Sequence, residues 1–137
     1  MDYGRYLNSV LEQAGFSAVK ISDLEPRNNM GVAKIVVEPN YELVERPFFW
    51  RVTSFDKNSP FLNAEDIYIE LIDKETWDAI AAEQFEGVLI IFKNTGSVGF
   101  LPFFTRKDWK EDDGYYWVDP KLIQPFNRFV SYYIPVS

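Results

Sequence analysis

Two residue types are missing altogether: the 137-residue chain contains neither cysteine nor histidine. Without cysteine there is no disulfide framework, no thiolate zinc site and no thiol nucleophile. Without histidine the Ser-His-Asp arrangement, imidazole metal ligation and the usual proton shuttle near neutral pH all fall away. Glycine is sparse, with seven dispersed residues, and no spacing matches a phosphate-binding loop, a dinucleotide-binding glycine motif or an EF-hand. Long hydrophobic runs are lacking too. The longest, Val88-Leu89-Ile90-Ile91-Phe92, has five residues, where a membrane span needs roughly 20. Met1-Asp2-Tyr3-Gly4-Arg5 does not open a secretory signal. A cytoplasmic, intracellular protein that does not associate with membranes is the expectation. Positive charge is the minority sign, 14 Lys+Arg against 21 Asp+Glu for a net charge of -7. That argues against general electrostatic binding to duplex nucleic acid or anionic lipid.

What remains is ordinary for a folded protein, with 47% hydrophobic and 26% charged residues. The length suits one domain, and residues 1–137 read as a single α+β domain. The expected architecture is a mostly antiparallel or mixed sheet packed by an N-terminal helix (about 3–14) and a central helix (about 74–86).

The helical spacing of Tyr6, Leu7, Val10, Leu11 and Ala14 predicts the first helix, with Asp2 as its cap and Gly15 as its stop. Strands are expected at 16–21, 31–38, 41–45, 48–55 and 66–72. Between them lie a polar loop at 23–29, a turn at Pro39-Asn40, a break at Arg46-Pro47 and a loop over 56–65. Asp73 caps the central helix, Ile72 and Trp77 form a hydrophobic staple, and Gly87 ends it. Its buried stripe is Trp77, Ile80, Ala81 and Phe85. Residues 88–93 read as a central strand covered on both faces. A hairpin connection at 94–97 leads to a strand at 98–104. A charged turn follows at 106–114, then strands at 115–118 and 128–134, with Pro120, Pro125 and Pro135 as breaks.

Charge is unevenly placed. Between Glu65 and Glu86 stand eight acids and one base, Lys74, so this segment holds the whole net charge and the rest of the chain balances. Asp73, Glu75 and Asp78 suit the start of a helix, where its dipole favours negative charge. Glu65, Asp66, Glu70, Glu83 and Glu86 are left as a candidate acidic face for a basic protein partner.

Aromatic residues reach 18%, and eleven lie between Phe100 and Tyr133. Core packing accounts for most of them. Alternation along strands sends at least one ring of Tyr115-Tyr116-Trp117, and one of Tyr132-Tyr133, to the outer face. Tyr115, Tyr116, Trp117, Tyr132 and Tyr133 are therefore candidate surface aromatics. They would stack on sugar or single-stranded nucleic acid, anchor a protein interface, or join copies of the chain into a homo-oligomer through the C-terminal strands. The five bases of this stretch are matched by five acids, which weakens the nucleic-acid reading.

The run of a helix, three strands, a helix and a strand from Tyr6 to about Phe92 is similar to the core of restriction-endonuclease-like nucleases. That resemblance implies an acid on one strand and Glu-x-Lys or Asp-x-Lys on the next. The matching strand reads Phe49-Trp50-Arg51-Val52-Thr53, and Asp108-Trp109-Lys110 falls beyond the core. The resemblance thus implies a degenerate, inactive member. A carboxylate or metal hydrolase built on Glu65, Asp66 and Glu70 is a further alternative. The favoured reading is a non-enzymatic protein-binding module, of the inhibitor or immunity type, that docks a basic partner through residues 65–86. It names no catalytic residue, metal ligand or cofactor.

Overall fold

The computed structural model describes residues 2–23, 29–37, 44–55 and 68–133, apart from the side chains of residues 19, 37 and 44. The expected turn at Pro39-Asn40, and Glu65, Asp66 and the loop preceding them, lie outside the described residues.

Helix α1 spans Tyr3–Gln13. The Asp2 carboxylate accepts from the Arg5 backbone N–H at 3.0 Å, as expected of an N-cap. At the other end Phe16 N–H bonds the Leu11 carbonyl and Gly15 N–H bonds the Glu12 carbonyl, both at 2.9 Å. These are the paired bonds of a Schellman motif, which needs a left-handed residue, and Gly15 supplies it at φ 92°. Leu7 and Leu11 are fully buried.

Strands β1 (Ser17–Asp23), β2 (Met30–Val37) and β3 (Val44–Thr53) form an antiparallel meander. Strand β4 (Ile69–Asp73) leads into α2 (Lys74–Ile80), and β5 (Gly87–Phe92) then pairs parallel to β3. Strands β6 (Val98–Pro102) and β9 (Gln124–Pro125) complete a six-stranded mixed sheet of order β1-β2-β3-β5-β6-β9. Strand β4 belongs to a second, three-stranded sheet with β7 (Lys110–Asp112) and β8 (Tyr115–Val118), in the order β4-β8-β7. Helix α3 (Phe126–Tyr132) closes the described chain. This is the expected α+β class with its N-terminal and central helices.

The large sheet separates two apolar layers. On one face Leu7, Leu11 and Phe16 meet Phe48, Trp50, Leu89, Ile91, Phe100 and Phe129. On the other, Phe49, Val88, Ile90 and Phe92 meet Trp77 and the small sheet's Ile69, Leu71, Tyr116 and Val118. Successive strand residues point to opposite faces. Two covered faces therefore require continuously apolar strands, which is why Phe48-Phe49-Trp50 and all of β5 are buried. The strand crossing is tight. A Cβ on Gly31, paired with Trp50, would lie 1.9 Å from the Ser22 carbonyl oxygen and 2.6 Å from the Trp50 ring nitrogen.

Several expectations are corrected. The strand expected at 128–134 is replaced, over its described residues, by helix α3 and its cap, because Phe126, Phe129, Val130 and Tyr133 recur at helical spacing and pack on the sheet. There is no break at Arg46-Pro47. Strand β3 runs through it, since the parallel ladder with β5 begins only at Phe49 and leaves Pro47 no partner strand on that side. Helix α2 stops at Ile80 and a 3-10 turn covers Ala81–Glu83. Gln84, left-handed at φ 55°, turns the chain, so Gly87 lies within β5 and Ala81 is exposed. Strand β6 ends at Pro102 and a 3-10 segment, Phe103–Asp108, follows. The charged turn resolves into β7 and a tight Asp113-Gly114 hairpin, both residues at positive φ. No helix among the described residues is long and apolar enough to cross a membrane.

Candidate functional site

Pro102 ends β6, and the 3-10 segment after it is pinned from beneath. The buried Thr105 hydroxyl donates to the Pro102 carbonyl at 2.6 Å and accepts from the Trp109 indole at 3.3 Å. With Thr105 and Trp109 held inward, Phe103 and Phe104 are left outside, 36% and 67% exposed. Helix α3 packs beside them. Its Phe129 is fully buried while Tyr132, three positions on, is 51% exposed. These three are the exposed large hydrophobics among the described residues, and all three line one groove of about 260 Å³. Phe100 and Pro102 also line it, and Glu86 and Tyr133 stand in its wall.

The wall is tied together from four parts of the chain. The Glu86 carboxylate pairs with Arg46 at 3.2 Å and accepts a 3.1 Å hydrogen bond from the Tyr133 hydroxyl. Its backbone N–H bonds the Pro47 carbonyl at 2.9 Å, and its carbonyl accepts from Phe103 N–H at 3.2 Å. Burial raises the Tyr133 pKa above the usual tyrosine range, and the Glu86 charge and hydrogen bond add to the shift. Tyr133 also packs edge-on against Phe48 at 5.3 Å and Phe100 at 5.9 Å between ring centroids. The groove therefore has a firm floor and one fixed carboxylate.

The five expected acids do not converge into one described face. Glu70 lines a separate cleft of about 620 Å³ at the C-terminal ends of β3 and β5, where it lies 3.9 Å from Arg51. Glu83, exposed, borders a third depression with Lys20 and Lys34. Only Glu86 reaches the aromatic groove, and Glu65 and Asp66 lie outside the described residues.

The five expected rings likewise part company. Tyr115 and Trp117 share the outer face of β8 with centroids 6.3 Å apart, and the Trp117 indole donates to the Asp112 carbonyl at 3.1 Å. Tyr116 points the other way into the core, 5% exposed, with the Arg106 guanidinium 4.5 Å over its ring. Tyr132, the last residue of α3, and Tyr133, its C-cap, both line the groove. Among the described residues no group of three or more Asp or Glu gathers as a metal site. Phe103 and Phe104 were not singled out from the sequence. Two adjacent rings straight after Pro102, where a strand cannot keep both inside, were the available signal.

Compared with known proteins, the chain matches no family model, and no curated protein or solved structure matches it significantly.

Proposed function

We propose that this chain is a non-enzymatic protein-binding module whose contact surface is the groove of Phe103, Phe104 and Tyr132. The observation that carries this reading is the convergence of every exposed large hydrophobic among the described residues on a single groove. Scattered exposed rings need no explanation, whereas rings gathered beside a fixed carboxylate have the make-up of an interface hot spot. The partner is a protein that offers an apolar side chain flanked by arginine or lysine. The apolar group fills the groove, and the cation meets Glu86, whose side chain keeps 31% of its surface exposed. The chain's net charge of -7 steers such a partner toward it. An inhibitor or immunity-type role against a basic protein fits this chemistry.

The test is a reconstituted complex. A partner captured from native-host lysate is purified and its association measured at low and high salt. The Phe104→Ala/Tyr132→Ala double variant should dissociate at least tenfold faster, and charge reversal at Glu70, Glu83 and Glu86 should slow association. Unchanged kinetics in both variants would reject the reading.

A further inference from the structure

The outer face of β1 and β2 carries an arrangement that the aromatic groove does not explain. The β1–β2 register runs Ser17 opposite Val36 and Ala18 opposite Ile35, then shifts so that Lys20 stands opposite Lys34. An unshifted ladder would set Lys20 opposite Ala33, which is fully buried in the apolar layer that holds Leu7 and Leu11. The bulge re-aims Lys20 to the face of Lys34 and of the Ser22–Val32 pair. Like charges directly opposite each other on paired strands are destabilising. The chain has more acids than bases, yet neither lysine forms an ion pair among the described residues.

Both lysines line a groove of about 510 Å³ between this face and the end of α2. Its other wall is apolar, formed by Ile80 and Ala82, with Val32 on the floor. Ile80 and Val32 are partly buried against the core beneath, so this wall is firmly backed. Ser22 adds a hydroxyl on the lysine side, and the exposed Glu83 also lines the groove, beside Ala82.

We propose that this groove binds an organic anion with an oxyanion head and an apolar body. The head sits between the ammonium groups of Lys20 and Lys34 and relieves their repulsion, and the body lies along Val32, Ile80 and Ala82. Carboxylate and phosphate monoester share this chemistry. The site is independent of the protein-binding groove.

The test is a titration of the 15N-labelled protein with octanoate, phenyl phosphate and inorganic phosphate, followed by amide shifts. Saturable shifts at Lys20, Lys34, Ile80 and Ala82 with at least one of the organic anions are expected. Inorganic phosphate, which lacks the body, should bind at least tenfold more weakly than that anion. Tighter phenyl phosphate binding assigns a phosphoryl head, and tighter octanoate binding a carboxylate. Lys34→Gln should weaken binding at least tenfold and raise the melting temperature of the ligand-free protein, and Lys34→Arg should retain binding. Both lysines lie outside the buried core, so the variants should fold, which their melting transitions will show. No saturable shift with either organic anion would overturn the proposal, as would shifts centred on Phe103, Phe104 and Tyr132, or undiminished affinity in Lys34→Gln.

Discussion

The hydroxyl of Tyr133 donates to the carboxylate of Glu86 at 3.1 Å across 47 positions of sequence. Through Arg46, which pairs with the same carboxylate at 3.2 Å, this contact ties the end of α3 to β3 and to the start of β5. It sets the depth of the groove, because Tyr132 is displayed by the helix that Tyr133 anchors.

The contact makes stability sensitive to alkaline pH. The folded-state pKa of Tyr133 is raised above its ordinary value of 10.0, chiefly by burial and then by Glu86. A group that holds its proton more tightly when folded contributes stability that is complete below its unfolded pKa and is lost as pH rises beyond it. The melting temperature should fall as pH passes about 10, and Tyr133→Phe should lessen that fall. Parallel curves for the two proteins from about pH 8 to 11 would exclude the link. At neutral pH the substitution should cost about 1 kcal/mol in chemical denaturation, the value of one hydrogen bond.

Burial separates the groove's surface from its support. Phe104→Ala and Tyr132→Ala, at 67% and 51% exposure, should each change unfolding free energy by less than about 0.5 kcal/mol. Phe129, at 0% exposure with ring contacts to Phe16, Phe48 and Phe100, is the opposite case. Phe129→Ala should cost about 3 to 5 kcal/mol by urea titration. Similar costs for the exposed and buried rings would mean that the groove is part of the core.

Gly31→Ala tests the packing of the sheet. The added methyl would meet the Ser22 carbonyl oxygen at 1.9 Å, and backbone cannot step aside as a flexible side chain does. The expected loss is about 3 kcal/mol, or failure to fold. A melting temperature within a degree of the parent would contradict the strand spacing described.

The Arg46–Glu86 pair is half-exposed, with side chains 42% and 31% accessible. A double-mutant cycle with Arg46→Met and Glu86→Gln should therefore give a coupling below about 1 kcal/mol, further reduced at high salt. A large, salt-insensitive coupling would show the pair to be sealed from solvent, leaving no cation-binding role for Glu86.

The elements legible in the sequence are those with local causes. Asp2 and Gly15 bracket α1 through bonds to residues three positions away, Arg5 and Glu12. The unbroken apolar run of β5 announces a strand covered on both faces. Residues 128–134 read as a strand because their aromatic residues favour sheets when taken singly, while the spacing of Phe126, Phe129 and Tyr133 suits a helix. The Asp113-Gly114 hairpin was hidden within a charged stretch. The groove was legible only in pieces: Glu86, Tyr132 and Tyr133 were candidates on separate grounds, and no local signal joins residues 47 positions apart. Phe103 and Phe104 come to the surface because Thr105 and Trp109 anchor the turn inward, and Trp109 is held there by packing on Trp77 with ring centroids 5.4 Å apart, a tertiary cause.

Phe103, Phe104 and Tyr132 together make the proposed protein-docking groove. Its most direct test places the photo-crosslinking residue p-benzoylphenylalanine at position 104 and irradiates cells of the native host. Position 121, an exposed lysine, serves as the control. One dominant adduct with a basic protein is expected, absent at position 121 and abolished by Tyr132→Ala. The same adducts at both positions, or none at position 104, would contradict it.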